Sequence, residues 1–182
     1  MGNLRKKSAL PVGRAYQILE SGPVVLLSTF HRGRPNVMTQ SWHTVLEFEP
    51  ALVGLVVSDQ NFSFEALKAT GECVLNVPTT RISRAVVGCG NSSGRKIDKF
   101  KRYGLAALPA KCVRAPLIAE CYANLEARVV DTSFVKKYDF FVLEIVKAWI
   151  DRTIKDPKTL HHRGMGRFMV AGKTIQLPSR MK

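Results

Sequence analysis

The stretch Arg34-Pro35-Asn36-Val37-Met38-Thr39-Gln40-Ser41-Trp42 carries the most structural information in this chain of 182 residues. It lies between two apolar runs, residues 24–30 and 51–57. Pro35 disfavours a helix just before it, and in a strand the even-numbered residues that follow would share one face and the odd-numbered residues the other. Neither face is purely apolar, and buried polar atoms need hydrogen-bond partners. The stretch therefore predicts either a strand beside a polar, flat ligand such as a heterocycle, or an edge strand with one wet face.

The composition predicts one soluble globular domain that spans residues 1–182. Hydrophobic residues make up 46% of the chain and charged residues 23%, which is not a disordered composition. The longest apolar run, residues 51–57, is far too short to cross a bilayer. The amino end is polar and basic and lacks the apolar core of a secretory signal. We therefore expect a cytoplasmic protein, with residues 1–14 as a flexible or arm-like segment.

Outward from the opening stretch, the pattern predicts many strands and few short helices. β-Branched and apolar runs bounded by Gly, Pro and Asn indicate strands, and Ser, Thr or Asn before a periodic segment indicates a helix start. The predicted strands cover residues 24–30, 36–46, 51–57, 73–77, 117–131, 138–150 and 167–177, and the predicted helices cover residues 15–20, 64–69 and 97–103, with another ending at Val87. The fold class is therefore mainly β (α+β), a β-barrel with helical excursions.

An ordered set of segments resembles the flavin reductase-like, FMN-binding split-barrel family, and its flavoredoxin branch in particular. The segments are Gly22-Pro23-Val24-Val25-Leu26-Leu27-Ser28-Thr29, then Pro35-Asn36-Val37-Met38-Thr39-Gln40-Ser41-Trp42, then Pro50, then Thr70-Gly71-Glu72-Cys73-Val74-Leu75-Asn76-Val77-Pro78. The resemblance is good over residues 22–100 and looser to about residue 168. It implies a six-stranded split β-barrel with short helical excursions, usually a homodimer, that holds FMN.

The resemblance also implicates particular residues in flavin binding. FMN needs a flat apolar wall and donors for its ring, polar groups for its ribityl chain, and N–H groups or cations for its phosphate. The family's matching strand lines the ring and ribityl chain, which here implicates Asn36, Met38, Thr39, Ser41 and Trp42. Met38 could equally be core packing, and Trp42 an interface or core aromatic.

Two further segments complete the implied site. The turn after residues 51–57 offers Ser58, Asn61 and Ser63 to the ring and phosphate, but it lacks the basic residue that many relatives carry there, and a simple helix cap is the alternative. The loop of residues 91–100 resembles one that closes over the flavin, which implicates Ser92, Ser93 and Lys99. Lys99 is the expected phosphate cation, whereas Asp98 is expected to pair with a neighbouring cation and Arg95 to lie in solvent.

Other features point away from metal and thiol chemistry. The four cysteines contain no Cys-x-x-Cys pair, so inert thiols are expected, with Cys89 the one to examine for reactivity. Adjacent side chains diverge, so His161 and His162 do not predict a metal site. The resemblance implies instead that their loop approaches the flavin. The net charge of +14 would attract phosphorylated ligands or nucleic acid.

Together these features predict an FMN-binding redox flavoprotein, an NAD(P)H-dependent flavin reductase that transfers hydride to the isoalloxazine N5. No dinucleotide-binding motif is present, so NADH or NADPH would bind only transiently. One alternative is a flavoredoxin-type electron carrier that is reduced by a redox protein partner. A distant alternative is a nucleic-acid-binding β-barrel, supported by the charge and by Lys99-Phe100-Lys101-Arg102-Tyr103. No residue is assigned a catalytic role.

Overall fold

The computed structural model describes residues 7–180, which form an antiparallel sheet with short helices around it. The strands are β1 (Lys7–Leu10), β2 (Val25–His31), β3 (Arg34–Gln40), β4 (His43–Phe48), β5 (Ala51–Val56), β6 (Glu72–Val77), β7 (Ala107–Leu108), β8 (Leu117–Ile118), β9 (Ala123–Asp131), β10 (Phe140–Asp151), β11 (Leu160–His162) and β12 (Phe168–Val170). The helices are α1 (Tyr16–Leu19), α2 (Phe62–Thr70), α3 (Ser83–Gly90), α4 (Lys99–Tyr103) and α5 (Val135–Tyr138).

The order of strands makes the main sheet a barrel with a split. The strands follow one another as β3-β2-β6-β9-β10-β5-β4, and β1 pairs with β10. β3 and β4 are therefore at opposite edges of the sheet, yet only Ser41 and Trp42 separate them in the chain. Because two residues span so little distance, the two edges must come together at this point, and the sheet curls round on itself.

The side chain of Gln40 bridges the split where the two edges meet. Its Nε2 donates to the carbonyl of Val56, and its Oε1 accepts from the backbone N–H of Trp42 at 2.7 Å. The N–H of Val56 donates to the carbonyl of Trp42 at 3.0 Å. One buried amide thus supplies the hydrogen bonds that a regular strand ladder would make here.

The predicted fold class is confirmed, and the main sheet differs from the prediction in two places. The strand predicted over residues 36–46 is divided at Ser41 and Trp42, and Lys7–Leu10 pairs with β10 instead of lying in the expected arm. These two changes turn the six implied strands of the main sheet into eight. Residues 1–6 of the expected arm lie outside the described residues.

The carboxyl-terminal strand is shorter than predicted. Of residues 167–177, only Phe168–Val170 is a strand, and it pairs with β11 in a separate hairpin. Ile175 and Leu177 are 73% and 70% exposed, so alternation in this segment does not bury an apolar face.

Buried apolar side chains form three clusters. The largest cluster fills the barrel interior and includes Leu27, Leu75 and Phe141. A second lies between the β2–β3 side of the sheet and helices α3 and α4. A third lies beneath the excursion that carries β7 and β8. Within residues 7–180, no helix is long and apolar enough to span a membrane.

A fully buried polar network attaches that excursion to the sheet. The Oδ1 of Asn76 accepts from the N–H of Ile118 at 2.9 Å and from Asn124 Nδ2 at 2.7 Å, and Asn76 Nδ2 donates to the carbonyl of Leu26 at 2.9 Å. Ser28 Oγ donates to the carbonyl of Pro116 at 2.6 Å. The side-chain atoms of Asn76 are all paired, whereas Asn124 Oδ1 has no hydrogen-bond partner among the described residues. Buried networks stabilise a fold to the extent that their members are satisfied.

His43 connects the start of β4 to the segment before β2. Its Nε2 lies 2.8 Å from the carbonyl of Pro23, which can only accept, so Nε2 carries a proton. Its Nδ1 is buried and has no hydrogen-bond partner in the part of the chain that the structure describes. Burial lowers the pKa of His43 from the ordinary 6.5.

We predict that the free energy of unfolding falls as the pH drops below about 6.5. Since the unfolded chain binds a proton to His43 more readily than the folded chain does, acid favours unfolding until the folded pKa is passed. Urea unfolding between pH 7.5 and 5 measures this loss. His43→Gln should flatten the profile and His162→Gln, at an exposed position, should not; an unchanged slope in His43→Gln would refute the assignment.

Candidate functional site

The candidate site lies along the free edge of β3. In residues 7–180, β3 pairs with β2 on one side and with no strand on the other. Alternate residues of such an edge strand present their backbone N–H and C=O groups outward. Since Pro35 and Gln40 bound this edge, it offers a short row of backbone donors and acceptors to whatever lies beside it.

The segment between α3 and α4 passes around this edge. A Cβ added at Gly90 would lie 3.4 Å from Thr39 Cβ, whereas one added at Gly94 would lie 2.1 Å from Asn36 Oδ1 and 2.6 Å from Phe62 Cδ1. Thr39 and Asn36 point to opposite faces of the strand. Residues 90–94 therefore cross the edge of β3 from one face to the other, and only a glycine fits at position 94.

On the outer face of β3 lies a cavity of about 340 Å³, here called the edge groove. Its lining includes Thr39, Ser41, Val86, Asn91, His162 and Phe168. Thr39 Oγ1 donates to the carbonyl of Val86 at 2.5 Å, which fixes α3 against the strand. The His162 and Phe168 rings lie 5.3 Å apart in the β11–β12 hairpin. The groove thus combines apolar and aromatic walls with a few polar groups, as small-molecule sites do.

On the inner face of β3 lies a smaller cavity of about 230 Å³, here called the hairpin cavity. Its lining includes Thr29, His31, Arg32, Arg34, Asn36 and Phe62. Asn36 Nδ2 donates to Ser63 Oγ at 2.8 Å, and both side chains are buried. This bond attaches the first turn of α2 to β3, so two of the predicted site residues position a helix.

The turn before α2 has a cation close to it. Asn61 occupies the N-cap position, but its side chain makes no capping hydrogen bond. Arg95 Nη1 donates to the carbonyl of Gln60 at 3.3 Å, and its guanidinium lies 5.6 Å from the centre of the Phe62 ring. Arg95 was expected in solvent; although exposed, it instead joins the glycine-containing loop to the start of α2.

Ser58, Ser92 and Ser93 shape their own loops. Ser58 Oγ accepts from the N–H of Gln60 at 3.2 Å. Ser92 Oγ donates to the carbonyl of Gly88 at 2.8 Å, and Ser93 Oγ accepts from the N–H of Arg95 at 3.3 Å. The three hydroxyls hold the turn before α2 and the loop between α3 and α4.

Lys99 does not lie where a phosphate cation was expected. Its side chain is 5% exposed, and its Nζ donates to the carbonyl of Cys89 at 2.7 Å. Burial lowers the pKa of Lys99. The ammonium therefore joins α4 to α3. The expectation for Asp98 also fails, because its carboxylate caps α4 by accepting from the N–H of Lys101 at 3.1 Å.

Met38 and Trp42 differ in their environments. Met38 packs against the interior core, which is the alternative the sequence left open. Trp42 is 71% exposed and stands at the split, next to Ser41 of the edge groove. Its indole is available to a ligand or to a protein surface.

The thiols and histidines support neither nucleophilic nor metal chemistry in the described residues. Cys89 is 1% exposed, and burial raises its pKa to about 11, so it stays protonated at neutral pH. His161 Nε2 lies 2.9 Å from Thr159 Oγ1, while His162 faces the edge groove. Among residues 7–180, no group of three His, Cys, Asp or Glu residues could hold a metal ion.

Sequence reasoning missed three contributors to the site. Gln40 was placed on the strand but given no role, and Arg95 was assigned to solvent. Phe168 was placed in a predicted strand without a link to the groove. The alternation pattern signals the burial of Gln40, but nothing local reveals that distant segments converge on Arg95 and Phe168.

Comparisons with known proteins agree on one family. The model of the flavin reductase like domain matches residues 19–169. The uncharacterized protein YddH of Escherichia coli (strain K12) is 32% identical over 175 residues, which cover 88% of this chain and 93% of that protein.

Solved structures of similar proteins extend the match to the fold. The structure of an FMN-binding domain of flavin reductases-like enzyme from Shewanella baltica OS155 has a TM-score of 0.89 and 25% identity, and the match covers 94% of this chain and 97% of that one. Flavoredoxin from Methanosarcina acetivorans has a TM-score of 0.73 and 26% identity, over 87% of this chain and 89% of that one.

Proposed function

The chain belongs to the flavin reductase-like family, and on that premise we propose that it is a redox flavoprotein that binds FMN along the free edge of β3. The observation that carries this proposal is the edge groove. A strand edge with outward N–H and C=O groups lies beside apolar and aromatic walls there. FMN, when bound, supplies hydride or single-electron transfer at its N5 atom.

The residues of the edge groove fit a flavin ring. Val86 and Phe168 offer apolar and aromatic surface, and Ser41 and Asn91 offer polar groups at its rim. The backbone groups of β3 match the alternating donors and acceptors of the flavin's pyrimidine edge. The role of these residues is to orient the ring and to keep water from one of its faces.

Arg95, not Lys99, is the cation that fits the phosphate. It is exposed, it contacts the turn before α2, and its guanidinium can make charge-assisted bonds to phosphate oxygens. The first turn of α2 adds N–H groups, and Asn61 leaves them without a side-chain cap. The loop that carries Arg95 also borders the groove at Asn91, so one segment would hold both ends of the cofactor.

We assign the reductase activity to the protein ahead of the carrier alternative because the groove is open and its surroundings are basic. The exposed side chains of Lys96, Arg163 and Arg167 lie on the loops that border it. A positive field favours the capture of a donor that bears a pyrophosphate. NADH or NADPH would bind transiently on the exposed face of the flavin. A redox protein partner is the alternative donor.

The nucleic-acid alternative loses its main support. Of the basic and aromatic run at α4, Lys99 and Phe100 are 5% and 6% exposed. A stacking platform for bases needs aromatic rings at the surface, and Phe100 instead packs in the layer between α3, α4 and the sheet.

A homodimer is part of the proposal, because apolar side chains at Trp42, at α5 and at the start of β10 are only partly covered. Trp42 is 71% exposed, Phe134 51% and Tyr138 56%, and Phe140 and Val142 are half-buried. Exposed apolar surface of this extent marks an interaction site, and a second copy of the chain can cover it by twofold symmetry. Since Trp42 follows Ser41, that copy would lie beside the edge groove.

We predict that the protein purifies with FMN. Arg95→Gln should weaken the affinity for FMN about ten- to a hundredfold and hardly change the affinity for riboflavin, which has no phosphate. Flavin fluorescence quenching measures both affinities. Arg102→Gln, at an exposed position of α4, is the control. Lys99→Gln should lower the thermal stability without changing the ratio of the two affinities. Protein that binds no FMN at all would refute the central proposal.

We predict that NADH or NADPH bleaches the bound FMN within seconds in stopped-flow mixing, and that free FMN is then reduced in turnover. Because the donor is held by charge on exposed loops, its KM should rise with added salt. If dithionite reduces the flavin and neither nucleotide does, the carrier alternative replaces the reductase assignment.

We predict a dimer mass by light scattering at micromolar concentration. Val142→Lys, which puts a charge on the apolar face, should give a monomer, because an unpaired charge is costly at an interface. Ala107→Lys, at an exposed position of β7, is the control and should leave the dimer intact. A monomeric parent protein would contradict the proposal.

A further inference from the structure

We propose that the hairpin cavity is a second binding site, which takes a small organic carboxylate with a flat apolar body. The cavity lies between the β2–β3 hairpin and α2, on the opposite face of β3 from the edge groove. The proposal goes beyond flavin binding and does not depend on it, since occupancy of this cavity can be measured without any redox reaction.

An unsatisfied hydroxyl is the first observation. Thr29 lines the cavity and is 0% exposed, and its Oγ1 has no hydrogen-bond partner within residues 7–180. The neighbouring Ser28 is equally buried, but its Oγ donates to the carbonyl of Pro116 at 2.6 Å. A buried hydroxyl without a partner destabilises the fold. Its retention beside a cavity points to a ligand that supplies the missing partner.

The walls restrict the ligand to a small, flat body. Phe62 and Ala66 form the apolar side, and the Asn36 amide is held in place by Ser63 Oγ at 2.8 Å. The volume of about 230 Å³ is below the range for drug-sized ligands. A single aromatic or unsaturated ring suits this space, and a dinucleotide does not.

The charge at the mouth selects an anion. Arg32 and Arg34 line the cavity with His31, against one carboxylate, Glu65. Arg32 adopts a φ of +49° in the turn with Gly33, a conformation that a bulky side chain adopts at some cost. Guanidinium groups pair with carboxylates in a bidentate manner. The hairpin thus places two exposed cations on the same cavity as Thr29.

The cavity is separate from the edge groove. Asn36 and Thr39 lie on opposite faces of β3, and the Gly94 backbone packs against Asn36 and Phe62 between the two spaces. A ligand in the hairpin cavity would touch Asn36 and Phe62 but none of the groove residues. The flavin ring and the carboxylate should therefore bind independently, and Phe62 is the wall that the cavity shares with Arg95, the cation assigned to the FMN phosphate.

The first experiment titrates the FMN-loaded protein with benzoate, benzamide and inorganic phosphate by calorimetry. Benzoate should bind at one site per chain without releasing FMN, and benzamide and phosphate should bind at least tenfold more weakly. Arg34→Gln should weaken the affinity for benzoate about ten- to a hundredfold, and Arg102→Gln should leave it unchanged. Equal binding of phosphate, release of FMN by benzoate, or no benzoate binding would each overturn the proposal. FMN absorbance reports flavin binding separately.

The second experiment uses the two adjacent hydroxyls. Thr29→Val removes the unsatisfied hydroxyl with little change in the shape of the side chain, so it should raise the Tm of the protein by a few degrees. It should also weaken the affinity for benzoate at least tenfold. Ser28→Ala breaks a made hydrogen bond and should lower the Tm. A Thr29→Val protein that is less stable, that keeps full benzoate affinity, or that loses FMN would show that Thr29 serves the fold or the flavin site instead.

Discussion

The Gln40 amide makes the hydrogen bonds on which the rest of this structure depends. β3 and β4 are adjacent in the chain but lie at opposite edges of the sheet, and Gln40 connects them by binding the N–H of Trp42 and the carbonyl of Val56. The Gln40 side chain and the backbone hydrogen bond from Val56 to Trp42 close the barrel at this point, and within residues 7–180 the remainder of β3 has no strand partner on its outer side. β3 therefore keeps a free edge, and the candidate site lies along it.

The edge of β3 separates two spaces with different chemistry. The outer space has the apolar and aromatic walls and few polar groups that suit a flavin ring, and the inner space has guanidinium groups and a buried hydroxyl. Gly94 makes the separation possible, since any side chain there would collide with Asn36 and Phe62. The same loop carries Arg95 to the start of α2. A single short segment therefore shapes the groove, closes the inner space and brings a cation to the helix terminus.

Buried polar groups in this protein fall into two kinds. Asn76 is fully satisfied and attaches a long excursion to the sheet. Within residues 7–180, Thr29 Oγ1, His43 Nδ1 and Asn124 Oδ1 are buried and have no hydrogen-bond partner. The first kind specifies the fold, because breaking it would leave several orphaned groups. The second kind lowers the stability of the fold, and in the case of Thr29 the unsatisfied group lies beside the hairpin cavity.

The sequence by itself determined the mainly β architecture, the family and the strand at the centre of the site. Period-two alternation, Gly and Pro punctuation and the ordered motifs are local signals, and they depend on backbone geometry that each short segment carries with it. The sequence also pointed to Thr39 and Ser41, which line the edge groove. It assigned the phosphate to Lys99 because the loop of residues 91–100 resembles the family's loop that closes over the flavin.

Only the tertiary structure decided which charges and hydroxyls are free. The packing of α4 on α3 buries Lys99 against the Cys89 carbonyl, and the course of the glycine loop brings Arg95 to α2. Likewise Ser28 finds a partner 88 residues away, whereas Thr29 finds none among the described residues. Burial and hydrogen bonding at these positions depend on segments far apart in the chain. No local pattern contains that information, because the partner of a side chain exists only once the chain has folded.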